Sequence, residues 1–302
     1  MITFKAKDTS GENINSALHE FTFPAGEKHI KQTEDREIQD VEIAIWQPTP
    51  DSIHDDLFTL GMWMNFIIQT DVEVAKSNSS FTGTHTVLLM PYVPGARADR
   101  GIPFGLGTYA KYINDLMVDQ IIIFDPHSQR TPEVLHGFDN LTVLYPEDLF
   151  ALGHMAAVIN GYTGIIAPDK GAVLRAEGVA KAANLPVYTA TKERDEATGK
   201  LSNFKIEGLP TDGTFLVVDD ICDGGGTFLG LADAAGLEKN QLDLYVSHGV
   251  FSKDALKNLK EKFGHVFTTN SFAPKRELND DDEYPIYRRF DVIRLMESKI
   301  KY

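Results

Sequence analysis

Residues 214–227 read Thr-Phe-Leu-Val-Val-Asp-Asp-Ile-Cys-Asp-Gly-Gly-Gly-Thr, an apolar and β-branched run that ends in paired carboxylates and opens into three consecutive glycines. A run of that composition suits a strand covered on both faces of a parallel sheet, and parallel sheets belong to α/β folds. Thr214 to Val218 is therefore expected to be a buried strand with Asp219 and Asp220 at its C-terminal end, and Phe228 to Ala232 to begin a helix. Open α/β sheets place their ligands at that end of the strands.

Each residue type in the run has a chemical use. Carboxylates such as Asp219 and Asp220 accept hydrogen bonds from vicinal sugar hydroxyls, or hold a Mg²⁺ that the hydroxyls share. The loop Asp223-Gly224-Gly225-Gly226-Thr227 lets the main chain approach an anion closely, with N–H groups and a helix N-terminus around it. A plain reading gives Gly only the turn and Asp only a helix cap. Acid pair, triglycine and preceding buried strand together favour a phosphosugar site. No Lys-Ser or Lys-Thr follows the glycines, so this is not a Walker A loop.

Composition narrows the rest. With 302 residues the chain is long enough for two α/β domains. Its formal charge of −15 argues against nucleic-acid and acidic-membrane partners, so an anionic substrate needs local donors and metal. The single cysteine, Cys222, excludes an intrachain disulfide and a Cys-based zinc cluster, and reads as a small apolar neighbour of the loop. The first residues lack a signal-peptide core and no run approaches the ~20 apolar residues of a membrane span, so a cytoplasmic enzyme is expected.

Along the chain, strands are expected at 41–46, 86–92 and 120–125, with helices at 56–68 and 109–116. The pattern then restarts, with strands at 164–169, 186–190, 214–218, 242–249 and 265–269 and a helix at 172–184. Such alternation predicts two similar α/β halves with a boundary near Pro146 to Leu152. Thr191 to Gly208 is polar and charged and is expected to be a mobile loop, and the acid run 279–283 a solvated one.

Several segments, in order, together resemble the ribose-phosphate pyrophosphokinase family. Residues 214–227 resemble its ribose-phosphate loop, a motif shared with the phosphoribosyltransferases. Pro91 to Arg100 is similar to the ATP-contacting loop, Asp125-Pro126-His127 to the Asp-x-His metal motif followed by Phe138-Asp139-Asn140-Leu141, and Ala167 to Ala176 to a metal-binding strand end. Thr191-Lys192-Glu193-Arg194 resembles the catalytic basic loop, which on the residues alone would be a solvated Lys-Glu-Arg turn. Phe23-Pro24-Ala25-Gly26-Glu27 is a looser match to a purine-binding turn, and His248 to Ser252 to a late family segment.

The resemblance implies two phosphoribosyltransferase-like, Rossmann-like domains, 1–148 and 149–302, each a mostly parallel sheet flanked by helices, with the last helix packing back on the first domain. It implies transfer of the β,γ-pyrophosphoryl group of ATP to the 1-hydroxyl of a 5-phosphorylated ribose, with AMP released and Mg²⁺ as cofactor. Lys192 and Arg194 would be catalytic; Asp219, Asp220, Asp223, Gly224, Gly225, Gly226 and Thr227 would hold the ribose phosphate. Phe23, Glu27, Arg97 and Arg100 would contact ATP, and His127 and Asp169 the metal. A homo-oligomer is implied as well.

Three departures stand against the family pattern. Gly224 replaces a Thr, which removes a hydroxyl donor and leaves room. Ala25 and Ala98 replace polar nucleotide contacts. Gly101 to Gly107 replaces an Arg-rich segment of regulated members, so control by ADP and phosphate is not expected. The first departure leaves two acceptors open: ribose 5-phosphate, giving phosphoribosyl pyrophosphate, or ADP-ribose, which some family members use in rebuilding NAD⁺. A phosphoribosyltransferase and a non-catalytic regulatory homologue are the competing classes.

Overall fold

The computed structural model describes residues 1–7, 13–33, 40–135, 141–152, 158–194, 201–272 and 287–301, and of 13–15, 150–152, 192–194, 201–203 and 287 the backbone only. The chain forms two compact units, one of Met1–Leu144 with Met296–Tyr302, the other of Tyr145–Leu295.

In the first unit, β1 (Ile2–Lys7), β2 (Asn13–Asn15), β5 (Val41–Trp46), β6 (His85–Met90), β7 (Gln120–Phe124) and β8 (Leu141–Leu144) form one sheet in the order β2-β1-β5-β6-β7-β8. The last four run parallel, and β1 is antiparallel to β5. β5 and β7 are buried along their whole length, Glu42 and Gln120 included, as strands between two covering layers should be. β3 (Leu18–Thr22) and β4 (Lys28–Gln32) make a separate hairpin.

Helix α1 (Ile53–Ser77) turns Leu60, Trp63, Met64 and Ile67 to the core, a spacing that keeps them on one face. It extends nine residues past the predicted end at Ile68, because its polar last turns are held locally, by Thr70 Oγ1 donating to the Phe66 carbonyl (2.9 Å) and a Lys76–Glu73 pair (2.6 Å). Helix α2 (Gly105–Asn114) starts four residues before the predicted Tyr109. Its glycines there serve packing: a Cβ on Gly107 would lie 2.4 Å from the Phe104 ring. Helix α3 is Arg130–Val134.

The second unit holds β9 (Gly164–Ala167), β10 (Val187–Arg194), β11 (Leu201–Ile206), β12 (Phe215–Cys222), β13 (Leu242–Gly249), β14 (Val266–Thr269) and β15 (Tyr287–Phe290), ordered β11-β10-β9-β12-β13-β14-β15. All neighbours pair in parallel except β10 with β11. Helices α4 (Val173–Ala183), α5 (Gly226–Ala235), α6 (Ala255–Leu259) and α7 (Val292–Glu297) follow in chain order, with short 3-10 turns at Pro146–Leu152 and Lys239–Gln241. The core gathers Ile166, Phe215, Val217, Phe228, Leu231, Leu244, Val246 and Phe263.

Three further expectations need correction. The segment 191–208 is not a loop at its flanks: β10 continues through Arg194 and pairs antiparallel with β11, with Thr191 opposite Lys205. Polar alternation on an edge strand looks like loop composition, and here the described Thr191 and Lys205 side chains are exposed. The tip 195–200 lies outside the described residues, as do 136–140 and the acid run 279–283. Likewise β12 runs four residues beyond Val218, so the acid pair sits inside the strand, and α5 starts at Gly226 instead of Phe228.

Candidate active site

Strand order in the second unit reverses between β9 and β12: the chain passes outward from β9 to β10, then returns to lay β12 on the other side of β9. At such a switch point the connections leave the carboxyl ends of the two strands in opposite directions and open a crevice. The register Val217↔Ile166 brings the residues after Ala167 level with Asp219 and Asp220. Sequence features that lay some 50 residues apart thus share one end of one sheet.

Asp220 is 5% exposed. Arg175, on the first turn of α4, places its Nη1 3.6 Å from Asp219 Oδ1 and 4.0 Å from Asp220 Oδ1. Asp219 Oδ1 also accepts the Asp220 N–H at 2.9 Å. Burial pushes the Asp219 carboxyl well above the usual range, the charge of Asp220 pushes it further, and Arg175 opposes both. Sequence reasoning gave Arg175 no role. Its signal was present, a cation one turn into the helix that follows a site strand, but its target is a tertiary fact.

The triglycine loop follows directly. Gly225 takes φ +78°, a left-handed conformation that favours glycine, and its carbonyl accepts the Phe228 and Leu229 N–H groups to start α5. Among the described residues the N–H groups of Gly224, Gly226 and Thr227 make no hydrogen bond. Three unbonded N–H groups at the start of a ten-residue helix are the kind of donors that an anion site uses. Beneath them Cys222 is buried, and burial followed by the Asp223 and Asp219 charges drives its thiol far above the ordinary range. It is a protonated packing group at neutral pH.

Asp169 belongs to the same end of the sheet. Its Oδ1 accepts the Gly171 N–H (2.9 Å) and the Ala172 N–H (3.2 Å), which caps the turn into α4. A carboxylate has further acceptor positions, so capping and ligation are compatible. Lys192 and Arg194 lie on β10 with their backbones opposite Phe204 and Leu201, and the register slips between Lys192 and Glu193. Their side chains lie outside the description.

The remaining candidates lie in the first unit. Arg97 and Arg100 are exposed on the loop after β6, where Arg100 approaches the buried Asp99 at 3.7 Å. His127 is exposed on the turn after β7, which Asp125 begins at φ +40°. Phe23 is 46% exposed at the β3–β4 turn, stacked on His29 at 5.8 Å and edge-on to Phe21 at 4.9 Å, so it is not a core residue; Glu27 is exposed beside it. Among the described residues no three of His, Cys, Asp and Glu converge on a metal position. The oxygen-rich acid pair still suits a hard cation: a carboxylate held high by a buried like charge is one that an added cation brings down. No described helix is long and apolar enough to cross a membrane.

Comparison with known proteins places these features. The family described as phosphoribosyl transferase domain matches residues 145–240. A ribose-phosphate pyrophosphokinase of Maricaulis maris is 28% identical over 298 residues, covering 95% of this chain and 88% of its own. One from Bradyrhizobium diazoefficiens is 30% identical over 223 residues, covering 70% and 66%. The solved phosphoribosylpyrophosphate synthetase of Mycobacterium smegmatis shares the fold at TM-score 0.69 with 18% identity, covering 94% of this chain and 89% of that one. The chain is a divergent member of the ribose-phosphate pyrophosphokinase family.

Proposed function

We propose that this protein transfers the β,γ-pyrophosphoryl group of ATP to the 1-hydroxyl of a 5-phosphorylated ribose. The hydroxyl oxygen bonds to the β-phosphorus, the bond from that phosphorus to the α-phosphate oxygen breaks, AMP leaves, and the hydroxyl proton passes to solvent. The supporting observation is the switch-point site, where unbonded loop N–H groups and a buried acid pair suit the phosphate and hydroxyls of one sugar. Asp219 and Asp220 would orient the ribose hydroxyls, and residues 223–227 the phosphate. Mg²⁺, held through Asp169 and His127, would neutralise charge on the transferring phosphates. Arg97 and Arg100 would contact the ATP phosphates, Phe23 and Glu27 the adenine, and Lys192 and Arg194 would supply positive charge as the transition state forms.

Ribose 5-phosphate is the acceptor that the names of the relatives support. One observation favours ADP-ribose as a second acceptor: a Cβ on Gly224 would meet only Ser252 Oγ, at 4.0 Å, so space remains beside the phosphate loop for an esterified phosphate. A cytoplasmic homo-oligomer belongs to the same reading. Incubation with ATP, Mg²⁺ and each acceptor, followed by mass spectrometry, tests it. Acceptor-dependent AMP with a pyrophosphorylated sugar is expected. AMP formed with neither acceptor would sink the proposal, and consumption of phosphoribosyl pyrophosphate with a base would favour a phosphoribosyltransferase.

A further inference from the structure

The turn 250–253 is tied to the phosphate loop by main-chain bonds. The Cys222 carbonyl accepts both the Val250 and Phe251 N–H groups at 3.0 Å, and the Asp223 carbonyl accepts the Ser252 N–H at 3.1 Å. The turn reaches this position in an uncommon conformation: Phe251 and Lys253, on either side of Ser252, take φ +45° and +55°, the left-handed region that L residues other than Asn and Asp seldom enter. Gly249 is needed for it, since a Cβ there would stand 2.2 Å from the Phe251 ring. Backbone held in a sparsely populated conformation against a ligand loop is a pointer to function.

What that conformation presents is a hydroxyl. Ser252 is half-buried, and among the described residues its side chain makes no hydrogen bond. Turn serines commonly bond their own backbone, so an uncommitted one beside a phosphate loop is notable. Its Oγ is the one atom within 4 Å that a Cβ on Gly224 would approach. A threonine hydroxyl at 224 would branch from that Cβ, so it and the Ser252 hydroxyl would share one neighbourhood beside the loop.

We propose that the Ser252 hydroxyl binds the phosphate group seated in the 223–227 loop, supplying from the neighbouring turn the donor that Gly224 lacks. This rests on the functional reading above. A donor carried on the turn leaves the loop side open, whereas a branched side chain at 224 would close it.

The test is calorimetric binding of ribose 5-phosphate and of ADP-ribose to the full chain, as wild type, Ser252→Ala, Ser252→Ala with Gly224→Thr, and Ser252→Thr. Loss of one hydrogen bond to a charged group should weaken the bound acceptor about tenfold in Ser252→Ala, raise its KM by the same factor and leave kcat within about twofold. Gly224→Thr in that background should recover ribose 5-phosphate binding, which a merely structural role for Ser252 would not give, and Ser252→Thr should bind as wild type. Wild-type affinity in Ser252→Ala overturns the proposal alone. A loss of affinity that follows a fall in melting temperature, with no recovery by Gly224→Thr, overturns it in favour of a structural role. Failure of the wild type to bind either acceptor overturns the functional reading and this proposal with it.

Discussion

The two units share an architecture and differ in what lies at the carboxyl ends of their strands. Parallel strands of the first unit follow chain order, β5-β6-β7-β8, with no reversal among them, and their candidate groups Arg97, Arg100 and His127 are exposed on loops. The second unit reverses at β9/β12, buries Asp220 there and encloses most of the Asp219 and Arg175 side chains beside it. A reversal creates a crevice with walls, where charges are desolvated and strongly coupled; without one, charges stay in water and act weakly until a ligand arrives. Topology therefore separates a unit that stores electrostatic tension from one whose candidate groups are exposed on loops.

The largest test of this contrast is Asp219→Asn. Activity should fall at least about 10³-fold, because the amide can neither orient hydroxyls nor attract a cation as the carboxylate does. The free protein should instead be stabilised, on the order of 1 kcal/mol or about 2–4 °C, since ionising this group in the fold is unfavourable. The sign follows from its raised folded-state pKa. The fold holds the proton more tightly than the unfolded chain does, so this group's contribution is full below the unfolded carboxylate range and is lost as pH rises through the folded value. The gap in melting temperature between variant and wild type should therefore widen with rising pH and shrink when Mg²⁺ and acceptor are bound. A gap that does not change with pH would remove the tension from the second unit.

Lys192→Ala should reduce kcat by about 10²–10³-fold with little change in stability, as loss of a positioned phosphate-facing cation does in phosphoryl transfer. Unchanged turnover would strip Lys192 of its role. Next come two arginines, one from each unit. Arg175→Ala removes a cation that is 9% exposed at its side chain from the acid pair, and should destabilise by about 3 kcal/mol in denaturant melts, a deficit that narrows at low pH as Asp219 takes up a proton. Arg97→Ala removes an exposed one, and should move stability by less than about 0.5 kcal/mol while raising KM for ATP about tenfold. Equal stability losses would erase the distinction between the units.

Much of this was legible in the sequence where burial is complete. β9, the first half of β12 and most of β5 and β7 are apolar, with Glu42 and Gln120 as the polar exceptions, and their positions and the loop after β12 follow from that pattern. Partly covered elements were harder to read. Ile2 to Lys7 alternates apolar and polar residues, the mark of a half-buried antiparallel strand, but six residues of alternation are a weaker signal than a continuous apolar run. The edge strands Asn13–Asn15, Leu201–Ile206 and Tyr287–Phe290 have a neighbour on one side only, so their composition resembles that of turns. Of the site, the residue types were readable, but not the couplings: that Arg175 faces Asp219, or that Ser252 stands against Gly224, depends on which strand returns beside β9.

The smallest expected effect sharpens the comparison at its finest grain, within the crevice itself. Gly224 has no left-handed φ, and a Cβ there meets nothing closer than 4.0 Å, so Gly224→Thr should fold with wild-type stability to within about 0.5 kcal/mol. Gly225→Ala, by contrast, forces an L side chain to φ +78° and should cost about 1 kcal/mol. With the loop intact, the new hydroxyl fills space beside the phosphate and adds a donor. It should improve kcat/KM for ribose 5-phosphate about threefold and lower that for ADP-ribose about threefold, a shift in preference of roughly tenfold or 1.4 kcal/mol. Competition assays with both acceptors present read this ratio directly. If the ratio does not move, openness at residue 224 has no part in acceptor choice, and selectivity must be sought in contacts with the rest of the sugar.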